Sequence, residues 1–146
     1  MTVDKLIDRI RKIYIIKLLV QVLDLPEVQD AVADMNRVQL SEGKTKTGKD
    51  INPEYVSDEY ATAKVGLNSK PGFGIPDLFL SGDFYEGLTA ELKGSGIEIF
   101  STDPKNDKLE SKYKDIFGLT NQNLEKLKKE FVLPELLILI RNGMQL

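Results

Sequence analysis

Between Val3 and Tyr14 apolar residues return every three or four positions. At about 100° per residue, Val3, Leu6, Ile7, Ile10, Ile13 and Tyr14 share one side of a helix, while Asp4, Lys5, Asp8, Arg9, Arg11 and Lys12 take the other. Thr2 is a good N-cap type, and neither Gly nor Pro interrupts the run, so the pattern predicts a helix over residues 2–24. Past Ile15 the pattern inverts. Lys17, Gln21 and Asp24 occupy the side that was apolar, and the apolar face swings by roughly half a turn. A helix with two opposed apolar faces needs two packing partners. Either one face meets another subunit, or the helix is central and covered on several sides by its own chain. The candidate interface residues are Ile15, Ile16, Leu19, Val22 and Leu23 of the second face, together with Phe73.

Pro26 suits the first position of a second helix reaching Val38, with Val28, Val32, Met35 and Val38 along one side. From Ser41 to Gly74 the sequence is rich in Gly, Lys, Thr, Asn and Pro. It predicts an irregular, arm-like segment, with helical character only over Pro53 to Lys64. The Ser81-Gly82-Asp83-Phe84 stretch predicts a capped tight turn anchored by Phe84, Tyr85 and Leu88. Two alternating runs, Leu88 to Lys93 and Ile97 to Ser101, are joined by Gly94-Ser95-Gly96 and predict a β-hairpin. Leu88, Ala90 and Leu92 should face one way, as should Ile97 and Ile99. Asp103 to Asp107 carries turn chemistry. Thr120 is an N-cap type before a closing helix marked by Leu124, Leu127, Phe131, Leu136, Leu137 and Ile140. Pro134 should kink or divide that helix, and Gly143 should end it. The sum is an α+β fold in a single structural domain over residues 1–146: long N- and C-terminal helices on a small antiparallel sheet, with residues 41–74 as an extended loop or arm.

Composition narrows the chemistry. The chain of 146 residues has no His, Cys or Trp, which removes the usual general base, the thiol nucleophile and the soft metal ligands together. With 20 basic and 23 acidic residues its net charge is -3, so no global field draws it to nucleic acid or to an anionic membrane. No apolar run approaches the ~20 residues of a membrane span, and the N-terminal pattern lacks the cleavage site of a signal peptide. Without cysteines there is no disulfide framework, which suits assembly in cytoplasm. No cofactor and no metal are expected.

Three motifs invite a chemical reading. Gly43 to Lys49 has the spacing of a phosphate-binding loop, but Asp50 stands where a magnesium-binding hydroxyl belongs, and the run leads towards Pro53 and not into a helix. Asp83 with Glu86, and Asp103 with Asp107, sit in turns without an imidazole or calcium-loop spacing, so they read as caps. Lys105, Lys108, Lys112, Lys114, Lys126, Lys128 and Lys129 alternate with acidic residues, as on a solvated face.

The stretch Leu80-Ser81-Gly82-Asp83-Phe84-Tyr85, the hairpin, the Ser101-Thr102-Asp103-Pro104 turn and Tyr113-x-x-Ile116-Phe117-Gly118-Leu119-Thr120 together resemble a family of tailed-bacteriophage morphogenesis proteins: small tail-completion or head-to-tail neck proteins. The resemblance covers roughly residues 40–142. Ser81 stands where Thr is usual, and Leu119-Thr120 replaces a simpler Gly-Thr ending. The resemblance implies a non-catalytic structural virion protein, assembled in the host cytoplasm. It would form a homo-oligomeric ring in the neck or tail and contact adjacent phage proteins, with no membrane or nucleic-acid partner. Ring contacts are heterologous, and a helix with two apolar faces suits them. The alternative is a small non-catalytic adaptor or inhibitor that binds one protein partner through an apolar helix. A carboxylate-dependent hydrolase is a third, weaker reading.

Overall fold

Thr2 caps the first helix, its Oγ1 accepting the Lys5 backbone N–H at 3.3 Å. Helix α1 then spans Val3–Leu23 in the computed structural model, which describes residues 1–144. Helix α2, Pro26–Ser41, begins on Pro26 as predicted and runs past Val38. Helix α3 spans Asp58–Leu67 with Ser57 as its N-cap. A single turn, α4 (Asp83–Glu86), precedes the hairpin of β1 (Leu88–Lys93) and β2 (Gly96–Ser101). Helix α5 (Asn106–Lys112) follows, and then α6 (Asn121–Leu127), a π-helical turn over Lys128–Val132, and α7 (Leu133–Met144).

The hairpin register pairs Ala90 with Ile99 and Leu92 with Ile97, so the apolar alternation of both strands falls on one face as predicted. Leu88 and Ala90 are buried, whereas Glu91 and Lys93 face out. Lys93 pairs with Gly96, leaving Gly94 and Ser95 as a two-residue turn in which Gly94 supplies the positive φ of 64°.

Two apolar clusters form the interior, and α2 joins them. Its first half (Val28, Ala31, Val32) packs with Val22 of α1, Ala90, Leu127 and Val132. Its end, Leu40, packs with Ile51, Leu78, Phe84, Leu88, Leu109, Tyr113 and Ile116. The two clusters therefore lie along a helix of roughly 24 Å.

Several expectations are corrected. Residues 41–74 are irregular but are not an arm. Ile51 and Ala61 are 1% exposed, the Lys44–Asp50 bridge closes a loop, and Asn68 Nδ2 donates to the Ser41 carbonyl at 2.7 Å, so the segment is folded onto the second cluster. Its helix starts at Asp58, not at Pro53, because Ser57 accepts the Tyr60 N–H and provides the cap. The turn chemistry predicted from Asp103 is present over Asp103 to Lys105, where Asp103 Oδ1 accepts the Lys105 N–H, and from Asn106 the chain continues as α5. Pro134 does not divide the closing helix. The π turn lies directly before it, with the Leu133 N–H bonded to the Lys128 carbonyl, and this wider pairing absorbs the disturbance a proline makes one turn back. Gly143 lies within α7, which is described as far as Met144. A Cβ there would stand 2.5 Å from Tyr14 Oη, so the glycine permits close contact between α7 and α1.

Candidate assembly surface

The inversion of the apolar pattern in α1 marks where the helix leaves the body. From Leu18 onward the second face turns inward: Leu18 and Val22 are buried, and Leu19 and Leu23 are half-buried against the first cluster. Before Leu18 every residue of α1 is exposed. The close approach of Gly143 to Tyr14 Oη shows that α7 runs alongside α1 as far as Tyr14. Val3 to Ile13 lie beyond it, roughly 16 Å of helix.

That free portion keeps a full apolar stripe. Val3, Leu6, Ile10 and Ile13 recur at alternating spacings of three and four, flanked by Ile7 and Tyr14, which is the wide seam of a bundle helix. Ile10 is 57% exposed and Ile13 64%. Leu133, Leu137 and Ile138 of α7 are also exposed, so the surface has a second patch on the neighbouring helix. Counted together, the two patches present on the order of 800 Å² of apolar surface, more than the few hundred Å² that a monomer's largest patch commonly shows.

Of the residues predicted for an interface, Ile15 and Ile16 are exposed beside this stripe. Val22 is corrected: at 0% exposure it belongs to the chain's own core. Leu19 and Leu23, partly buried, pack against that core as well. The sequence indicates two faces on α1, but not which one the chain covers; the face left open is the first, not the second. Phe73 is 58% exposed but belongs to the folded 41–74 segment around the second cluster, and the structure does not bring it together with α1.

The remaining sequence motifs resolve into local structure. The Gly43 to Lys49 loop closes on itself through Thr45 N–H to the Lys49 carbonyl and Ile51 N–H to the Gly43 carbonyl, and it opens no helix. Asp83 accepts from Ser81 Oγ at 3.0 Å, and Asp103 accepts from the Lys105 N–H at 2.7 Å, so both carboxylates act within their turns. Among the described residues no three His, Cys, Asp or Glu side chains converge as metal ligands, and no helix is long and apolar enough to cross a membrane.

Two clefts sit at the other end of α2, beside α3. One, of about 580 Å³, surrounds an ion pair that the sequence analysis does not single out: Lys64 Nζ to Asp77 Oδ1 at 2.8 Å, with both side chains nearly inaccessible. Asp77 also accepts from Asn68 Nδ2 and the Phe79 N–H, while Lys64 donates to the Phe79 carbonyl at 2.6 Å. Tyr85 donates its hydroxyl to the Asp77 carbonyl. Burial, and then the Asp77 charge, push the Tyr85 phenol far above its ordinary value, and the same two causes raise Tyr55. The second cleft, of about 430 Å³, shares Tyr60 and Leu80 with the first. It brings Lys105, Lys108 and Lys112 together along one wall, a convergence hidden in the sequence by the acidic residues between them. Comparison of the chain with protein-family models, with curated proteins and with solved structures returns no match.

Proposed function

We propose that this chain is a non-catalytic structural subunit that self-associates through the outer half of α1, and that its assembly is a ring in the neck or tail of a tailed-phage particle. The observation that carries the reading is the stripe of Val3, Leu6, Ile10 and Ile13. It is continuous with the body, exposed along its whole length, and patterned for helix packing. A second copy is the occupant that fits, because the same chain also exposes Leu133, Leu137 and Ile138 on α7, a different surface from the stripe. Contact between one copy's α1 and the next copy's α7 joins two unlike faces, the heterologous geometry from which rings are built when the rotation between copies closes. The phage setting rests on the resemblance in the loop and hairpin motifs.

Sedimentation velocity across a concentration series tests the assembly. A closed oligomer of three or more copies, reduced to monomer by Ile10→Asp with Ile13→Asp, supports the ring. A chain that stays monomeric at every concentration supports instead an adaptor whose α1 waits for another protein. Peptide mass spectrometry on gradient-purified phage particles tests the setting: a fixed number of copies per particle is expected, and absence from the particles removes the virion role.

A further inference from the structure

The lysine-walled cleft points to a second partner. We propose that it is a docking site for an extended acidic segment of another protein, one in which acidic and apolar side chains alternate. This inference does not depend on the ring reading.

The floor of the cleft is apolar and fixed. Pro76, Leu78, Leu109 and Tyr113 are buried members of its lining, and Leu80 stands half exposed at its rim. Its ionisable wall is α5 with its N-cap residue: Lys105 at the cap, then Lys108 and Lys112, follow at spacings of three and four and so share one side. Glu54 is the lone carboxylate among the lining residues. Lys105 has Asp103 within 3.7 Å, whereas Lys108 and Lys112 have no ion-pair partner among the described residues. The site is thus a pocket with apolar depth and surplus positive charge along one edge, and its complement is a segment with apolar side chains and surplus negative charge.

Spacing accommodates an extended segment. Lys108 and Lys112 are about 6 Å apart along the helix axis, close to the ~6.6 Å between alternate residues of an extended chain. Acidic residues two apart therefore meet successive lysines while the intervening side chains turn to the apolar lining.

Two other occupants fit less well. The outer half of a second copy's α1 is itself basic, with Lys5, Arg9, Arg11 and Lys12 against Asp4 and Asp8, so it is repelled by the same wall. Single-stranded nucleic acid needs open aromatic faces on which to stack. Tyr113 is 7% exposed with the Lys112 ammonium 5.2 Å from its ring, and Tyr55 is locked edge-to-face with Tyr60 at 4.9 Å, which leaves Tyr60, 43% exposed, as the one ring of the lining open to a base where a strand needs successive ones.

Fluorescence anisotropy with three labelled probes tests the site on the full chain: a peptide of alternating glutamate and leucine, its lysine and leucine counterpart, and a short oligothymidine. The expected result is saturable binding of the glutamate peptide alone. Affinity should fall about tenfold in K105E/K108E/K112E and remain unchanged in K126E/K128E/K129E, with circular dichroism of both variants as in the parent. Should the cleft triple variant lose structure, the milder pair K108Q/K112Q serves, with an expected loss of a few-fold. No saturable binding up to about 1 mM, equal loss in the cleft and control variants, or preference for oligothymidine would each overturn the proposal; the last would make the cleft a nucleic-acid site.

Discussion

The side-chain amide of Asn36, fully buried on α2, is bonded to Gly118 of the loop before α6 and spans Phe117 in doing so. Its Nδ2 donates to the Ile116 carbonyl at 2.9 Å and its Oδ1 accepts the Gly118 N–H at 3.0 Å. One turn along, Gln39 repeats the arrangement, donating to the Gly118 carbonyl and accepting the Thr120 N–H. Two side chains of a helix thus satisfy the backbone of a segment that pairs with no strand. They bind the Phe117-Gly118-Leu119-Thr120 motif to α2 across some eighty residues of chain.

Asn36→Ala leaves the Ile116 carbonyl and the Gly118 N–H without a partner where water is largely excluded. We expect a loss of about 1–3 kcal/mol of stability, read from the urea midpoint. Asn121→Ala, at the exposed start of α6, should stay within about 0.5 kcal/mol and serves as the control. Equal midpoints for the two variants would remove the Asn36 bonds from the forces holding this loop.

The ion pair of Lys64 and Asp77 predicts an asymmetry. Lys64→Met removes one buried charge and leaves the other with only neutral donors, Asn68 and the Phe79 N–H. The expected cost is about 3–5 kcal/mol. Lys64→Met with Asp77→Leu should cost less than the two single changes added together, since neither charge is then stranded. Strict additivity in the urea series would show that the pair is not coupled.

On α1 the structure sets two substitutions of the same chemistry against each other. Ile10→Asp and Ile13→Asp fall on the stripe beyond the body, so the urea midpoint of the subunit should move by less than about 0.5 kcal/mol while self-association is lost. Val22→Asp places a charge in the first cluster, without a partner, and should prevent folding as judged by circular dichroism. Leu19→Asp should fall nearer to Val22→Asp, because Leu19 packs on that cluster. Loss of structure in Ile10→Asp would place the outer stripe inside the subunit's own fold.

Periodicity made α1, α2 and the hairpin legible from the sequence, because each has an apolar face repeating at the period of its own backbone: Val28 and Val32 along α2, Leu88 and Ala90 along β1. Caps marked the starts, as Thr2 and Thr120 do. What periodicity does not carry is the identity of the neighbour. Val3 and Val22 both sit on apolar faces of one helix, and only the fold determines that Val22 is covered while Val3 is open. Residues 41–74 were misleading because their anchors are few and not periodic: Ile51, Ala61 and the Lys64–Asp77 pair hold the segment through isolated contacts. The lysine cleft was hidden for a related reason. Its wall comes from α5, and its far side comes from residues some fifty positions earlier in the chain.

Alkaline pH provides a separate probe of the region around Asp77. Tyr85 and Tyr55 are raised far above the ordinary tyrosine value in the folded chain, first by burial and then by the Asp77 charge. In the unfolded chain both phenols ionise near pH 10. Below that pH both states hold the protons, and the stabilising effect of the folded environment on the neutral phenols is fully present. As pH rises past about 10 the unfolded chain releases protons that the folded chain retains, so stability falls with increasing pH. Urea midpoints between about pH 8 and 11 should therefore be level at first and then decline. Tyr85→Phe removes one of the two phenols and its hydrogen bond to the Asp77 carbonyl. The variant should start from a lower midpoint at neutral pH and decline less steeply above pH 10. A decline as steep as the parent's would mean that the Tyr85 phenol is not the group that titrates, leaving Tyr55, at the edge of the lysine cleft, as its source.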